Sequence, residues 1–184
     1  MEFGVVTLSI VPVRSQPSDK SEMVTQLLFG ELVVINRKFE QWLNIRIVYD
    51  NYEGWIDAKQ INKIDEEEFN QLKNSEAGYV TDVVDVIENS DSGRMIPVVL
   101  GSKIYANENQ EFTLGGEKFI FSGIPAFSGL KATWPGVLET AMLFINAPYL
   151  WGGKTPFGID CSGFTQMVYK INGIQIQRDA SQQA

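Results

Sequence analysis

Cys161 is the only cysteine in the 184-residue chain, and the chain holds no histidine. The thiol lies in the run Gly158-Ile159-Asp160-Cys161-Ser162-Gly163-Phe164, where a glycine-rich turn meets a helical pattern. The thiolate is the nucleophilic form of cysteine, and free N–H groups at a helix start favour that anion. The backbone N–H of Cys161 is also placed to steady an oxyanion during acyl transfer. Gly158, Ser162 and Gly163 are small and leave a substrate room to approach. The residues therefore offer a nucleophile without the imidazole that normally serves as its base. A plainer expectation stands beside this one. Cys161 is three residues before Phe164 and seven before Val168, on the apolar stripe of its helix. A lone cysteine on such a stripe is more often a buried core residue than a nucleophile.

The elements that must hold this segment follow from periodicity. After Cys161, Phe164, Met167, Val168 and Ile171 repeat at helical spacing, and Gly173 marks the stop. Before it, Pro135 suits a first helical turn and Val137, Leu138, Ala141, Met142 and Ile145 fall on one face, with Pro148 ending the helix. Residues 1–62 read as short strands and turns. Leu43, Ile45 and Ile47 alternate on one face, Leu32 to Ile35 is a β-rich run after Gly30, and Asp50 to Gly54 is a turn. Such close-spaced strands suggest a small β-barrel. Residues 63–76 read as a short helical linker, in which Asp65 and Glu68 fit a capping box and the acids form a solvated face. Residues 77–128 again look like a small barrel, with valines from Val80 to Val86 before a turn at Ser90 to Gly93 and a tight hairpin at Gly115-Gly116. Residues 129–184 form the final, mainly helical unit.

Composition narrows the function classes. A net charge of −8 lacks the basic footprint that nucleic-acid binding needs. One cysteine cannot form an internal disulfide, and with no histidine neither a metal site nor a cofactor is expected. The first residues carry an acid at Glu2, no basic segment, and an apolar stretch broken by Thr7, Ser9 and Pro12, so neither a signal peptide nor a membrane span is expected. That favours the cytoplasm, or a periplasmic or secreted site if a signal has been removed.

Tyr149-Leu150-Trp151-Gly152-Gly153, followed by the Asp160-Cys161-Ser162-Gly163-Phe164 element and by Arg178-Asp179-Ala180-Ser181-Gln182-Gln183, resembles the signature of the NlpC-type cysteine peptidases. With the two preceding units, the chain is similar to a subgroup that carries bacterial Src-homology-3-like barrels and acts on γ-D-glutamyl bonds of murein peptides. The resemblance implies an α+β fold: two such barrels, then the N-terminal, mainly helical half of a papain-like domain. It implies Cys161 as nucleophile, with Asp160 and Ser162 lining the site and a carboxylate binding a free α-amine. Trp151 would form an apolar wall, Ser181 would contact the D-glutamyl α-carboxylate, and Tyr52 and Glu31 would contribute to the amine pocket. The implied partner is a murein-derived peptide with a free N-terminal L-Ala.

The departure from the family is the base. The family uses a histidine downstream of the cysteine, and these 184 residues contain none. The resemblance therefore implies a truncated form: a fragment, the product of a shortened gene, or a chain whose missing half is a separate partner. Alone it would be inactive. The alternative is a non-catalytic cell-wall-peptide binding protein with a vestigial peptidase domain.

Overall fold

A computed structural model describes residues 1–106, 110–127 and 133–184. The first 64 residues contribute β1 (Glu2–Val5), β2 (Ile10–Arg14), β3 (Met23–Leu28), β4 (Leu32–Phe39), β5 (Trp42–Ile47), β6 (Glu53–Asp57) and β7 (Asn62–Ile64). They pair as one antiparallel sheet in the order β3-β2-β6-β5-β4-β1-β7. The alternation in β5 sets this sheet's inner face. Leu43, Ile45 and Ile47 are all buried, and the register places Ile45 opposite Ile35 and Ile47 opposite Val33. Val11, Val13, Leu27 and Ile56 close the same cluster. Each such side chain, taken out of water, is worth about 1.5–3 kcal/mol.

Helix α1 (Glu66–Asn74) starts where the cap residue predicts. The Asp65 carboxylate accepts from the Glu68 N–H at 2.8 Å, and three glutamates occupy the first turn. The expected capping box is only half formed, because the Glu68 carboxylate accepts instead from the Gly115 N–H at 2.8 Å. Nor is α1 merely a linker. Phe69 and Leu72 are buried, and the Phe69 ring stacks on Phe3 with centroids 4.0 Å apart.

The next strands are β8 (Gly78–Tyr79), β9 (Val84–Asn89), β10 (Arg94–Val99), β11 (Lys103–Ile104), β12 (Glu111–Leu114), β13 (Glu117–Phe121) and β14 (Ala126–Phe127). They form a four-stranded sheet, β10-β9-β13-β12, and a three-stranded one, β11-β8-β14. Among the described residues no strand pairing joins the two, so the second closed barrel is not seen as such. The hairpin at Gly115-Gly116 is present, with φ of 60° and 79°, the left-handed pair that a two-residue turn demands. The valine run is only partly core: Val80 and Ile87 are buried, whereas Val83, Val84 and Val86 face outward. Phe29 of the first region meets Phe119 edge-on at 5.4 Å, so the first sheet, α1 and the second sheets share one apolar cluster.

The last region holds α2 (Trp134–Met142), β15 (Lys154–Thr155), β16 (Gly158–Ile159), α3 (Cys161–Ile171) and α4 (Ala180–Gln183). It is a set of helices around a small hairpin. The fold as a whole is mostly sheet with few helices. The expected boundary at 128/129 lies outside the described residues. Two expectations for α2 are corrected. It ends at Met142, well before Pro148, and Leu138, Met142 and Ile145 are exposed. The buried positions are Thr140 and Phe144. Polar bonding sets this rotation: the Thr140 hydroxyl donates to Gly136 O at 2.9 Å and accepts from Asn172 Nδ2 at 3.0 Å. In α3, Met167 and Val168 are buried against Leu28, Val99 and Leu100, and Phe164 packs edge-on to Phe144 at 5.8 Å. No helix among the described residues is long and apolar enough to cross a membrane.

Candidate active site

The start of α3 is fixed by Asp160. Its extended backbone (φ −97°, ψ 174°) ends the β16 hairpin, and its Oδ1 accepts from the Gly163 N–H at 2.6 Å. Its Oδ2 accepts from the Gly152 N–H at 2.9 Å, which ties the Trp151-Gly152-Gly153 turn to the helix cap. Gly152 has φ of 75°, and a Cβ there would stand 2.3 Å from the carbonyl oxygen of Met23. Only glycine lets this turn lie against β3. A Cβ on Gly163 would likewise meet the Gly153 carbonyl oxygen at 2.3 Å. The glycines flanking the cysteine thus serve close packing of helix start and turn.

Arg178 completes the cap. It is 1% exposed. Its Nη1 donates to Asp160 Oδ1 at 3.0 Å and its Nη2 to Asp160 Oδ2 at 2.7 Å, a two-pronged pair. Nη1 also donates to Ser162 Oγ at 2.8 Å, and Nε donates to Thr25 Oγ1 on β3 at 2.9 Å. Burial would raise the pKa of Asp160, but the guanidinium bonds and the two backbone donors outweigh it and hold the carboxyl below its ordinary value. Strand β3 anchors the last region a third time, where Gln26 Oε1 accepts from the Lys154 N–H at 2.7 Å.

Cys161 is exposed and opens on a cleft of about 440 Å³. The core expectation for this thiol is therefore overturned: its neighbours Ser162 and Gly163 are buried, while Cys161 faces solvent. One side of the cleft comes from the first sheet, through Glu22, Val24 and Tyr52, and the other from Tyr149, Trp151 and Ser181. The Trp151 indole N–H donates to Glu22 Oε1 at 2.6 Å and joins the two sides. Burial, with Asp179 beside and hydrogen-bonded to it, pushes the Tyr52 phenol up to about 12. Gln183 Nε2 donates to Ser162 O at 3.1 Å and so holds α4, which carries Ser181, over the cleft.

Of the expected site residues, Cys161, Asp160, Ser162, Trp151, Ser181 and Tyr52 all border this cleft. Asp160 and Ser162 are already engaged: the Asp160 carboxylate accepts five hydrogen bonds and the Ser162 hydroxyl bonds Asp160 and Arg178. The structure gives them the work of building the helix start. The expectation for Glu31 is corrected. Glu31 does not border the cleft but is buried elsewhere, bonded to Lys170 Nζ at 2.6 Å and to the Leu28 N–H at 3.0 Å. It follows Gly30 directly, and the turn there sends its side chain inward. Glu22 occupies the cleft instead. Sequence reasoning missed Glu22, Arg178, Tyr149 and Asp179. The last three sit inside the quoted motifs, while Glu22 at the mouth of β3 has no local signal.

Comparison with known proteins agrees with this architecture. Residues 13–61 match the bacterial dipeptidyl-peptidase Sh3 domain, and residues 146–184 match the NlpC/P60 family. A gamma-D-glutamyl-L-lysine dipeptidyl-peptidase of Bacillus subtilis is 29% identical over 174 residues, covering 87% of this chain and 57% of the relative. The dipeptidyl-peptidase 6 of Lysinibacillus sphaericus is 27% identical over 196 residues, covering 96% of this chain and 72% of the relative. The chain thus spans little more than half to about three quarters of these relatives. The crystal structure of an NlpC/P60 family protein from Bacillus cereus superposes with a TM-score of 0.84 at 20% identity, covering 98% of this chain and 76% of that one. An NlpC/P60 endopeptidase of Photobacterium damselae superposes at 0.73 and 20% identity, covering 99% of this chain and 45% of the other. The chain therefore carries one segment that matches the bacterial dipeptidyl-peptidase Sh3 domain and another that matches the NlpC/P60 family, and along most of its length it is similar to a gamma-D-glutamyl-L-lysine dipeptidyl-peptidase.

Proposed function

We propose that residues 1–184 carry the nucleophile and the substrate-selecting wall of a cysteine endopeptidase. Its substrate is a murein stem peptide with a free N-terminal L-Ala, cut at the γ-D-glutamyl bond. The Cys161 Sγ attacks the γ-carbonyl carbon, the carbonyl oxygen takes the negative charge, and the Cys161 N–H at the first position of α3 donates to it. The C–N bond breaks, the leaving amine takes a proton, and water hydrolyses the thioester. None of these residues is histidine, so the proton carrier is supplied from outside them. On this reading residues 1–184, which hold no histidine, bind the peptide but do not turn it over by themselves.

The observation that carries the reading is the exposed Cys161 at a capped helix start, in a cleft walled by Glu22 and Tyr52. A carboxylate with one oxygen on the Trp151 indole keeps its other oxygen for an ammonium group, which selects a free N-terminus. Trp151 gives the apolar wall, and Ser181 a hydroxyl for the D-glutamyl α-carboxylate. The test is hydrolysis of L-Ala-γ-D-Glu-L-Lys by the longest gene product that contains this sequence. Turnover is expected to vanish in Cys161→Ser and with N-acetylated peptide; equal turnover by Cys161→Ser refutes the assignment. The absence of histidine favours a second reading, a peptide-binding protein without catalysis. Tight binding of the same peptide with no hydrolysis by that product decides for it.

A further inference from the structure

Away from Cys161, a second recess lies where four parts of the chain meet. Lys170, in the last turn of α3, enters it between the rings of Tyr49 and Tyr79, at 5.1 and 5.2 Å from their centroids. Lys103 comes from β11 and Lys73 from the last turn of α1. Glu31 closes the bottom, and Leu32 and Val48 supply an apolar side. The space is about 80 Å³, the scale of a small ion and not of a peptide.

The charges are unbalanced. Among the described residues Glu31 is the carboxylate bordering the recess, and it is already matched. Burial would raise its pKa, but the ammonium groups of Lys154 at 3.6 Å and Lys170 at 2.6 Å hold it down to about 2. Among the described residues neither Lys73 nor Lys103 has a carboxylate partner within salt-bridge distance. Lys103 is half-buried and leans on the Tyr105 ring, 4.9 Å from its centroid. Burial and the charge of Lys170 lower its pKa to about 8, with Glu31 opposing. Asp50, the other acid close to the lysine cluster, accepts from Gln166 Nε2 at 2.9 Å. Three ammonium groups around one recess against a single bordering carboxylate, in a chain of net charge −8, make a local positive excess that a bound anion relieves.

We propose that this recess binds a compact oxyanion, carboxylate or phosphate, held by Lys103 and Lys73 beside the Glu31–Lys170 pair. It shares α3 with Cys161 but does not depend on how that cleft is used. The Tyr79 ring and Leu32 give a flat, apolar side that suits a short carbon tail, so acetate is the first probe and inorganic phosphate the second. The experiment is an NMR titration of the lysine side-chain signals with each anion near pH 7, in the 184-residue chain and in Lys103→Met. Saturating shifts at Lys103 are expected. Affinity falls at least about tenfold in Lys103→Met, and binding is lost at about pH 9.5, where Lys103 is neutral and Lys170 still charged. Lys73 is exposed, so Lys73→Met retains the fold and weakens binding too, which keeps the test decisive if Lys103→Met does not fold. Saturation by acetate alone assigns a carboxylate, and by phosphate alone a phosphate. No saturation by either anion, or equal binding by the wild-type chain and Lys73→Met, overturns the proposal.

Discussion

Replacing Arg178 by methionine tests whether the cap of α3 is held by charge. Methionine keeps most of the buried volume and removes every donor. Four hydrogen bonds are lost, two of them the paired contacts to Asp160. Breaking one side of a buried ion pair costs about 3–5 kcal/mol, because the remaining charge is left unanswered. Asp160 keeps the N–H donors of Gly152 and Gly163, so the lower end applies, about 3 kcal/mol. For a chain of this length that lowers the melting temperature by about 6–12 °C. The pH dependence carries the sign of the argument. Asp160 has its pKa depressed by folding, so its contribution is present above the unfolded carboxyl value, near 3.9, and fades as pH falls through the lower folded value. The gap between wild type and Arg178→Met therefore narrows in acid. Urea unfolding followed by tryptophan fluorescence, at neutral pH and again below about pH 3.5, measures both quantities. A neutral-pH difference under about 1 kcal/mol, or a difference that does not change with pH, refutes the clamp. Arg178→Lys recovers less than half of the loss, since an ammonium cannot span both carboxylate oxygens.

Glu31→Gln leaves Lys154 and Lys170 without their shared counter-ion. With its folded pKa about 2, Glu31 contributes about 3 kcal/mol, present above about pH 5 and lost as pH falls toward 2. The variant's melting temperature should lie well below wild type at pH 7 and approach it in acid. Gly152→Ala forces a left-handed φ on alanine and drives its methyl group against the Met23 carbonyl. A loss of about 1–3 kcal/mol is expected in chemical denaturation, and an unchanged midpoint would show that the turn can move away from β3.

Local periodicity made the near-range parts of this fold legible. The alternation of Leu43, Ile45 and Ile47 named the buried face of β5, and the Gly115-Gly116 pair named a hairpin with two left-handed residues. Asp65 marked the start of α1. Cys161 and Trp151 were legible because their motifs are contiguous. What failed was decided at a distance. Thr140 took the buried face of α2 because Asn172, 32 residues on, supplied a partner. Gln166 and Lys170 are buried in α3 beside Met167, and no hydropathy pattern expects that; their partners Asp50 and Glu31 lie more than a hundred residues earlier. Glu22 reaches Trp151 across 129 positions. Polar contacts of that span leave no period in the sequence, so nothing in it pointed to Glu22, and Glu31 was expected in the cleft only through the family resemblance.

The Arg178 clamp also sets a schedule. Chains leave the ribosome from the N-terminus, and domains fold as units when enough of each has emerged. The first sheet, with Thr25 already in place, is out long before Cys161. Asp160 then emerges with no cation to answer it, and Arg178 follows eighteen residues later. Until it arrives, the thiol sits on an unfinished helix start beside a formed β3. The helix start that carries the thiol is therefore complete only once residue 178 has emerged and docked on Asp160 and Thr25.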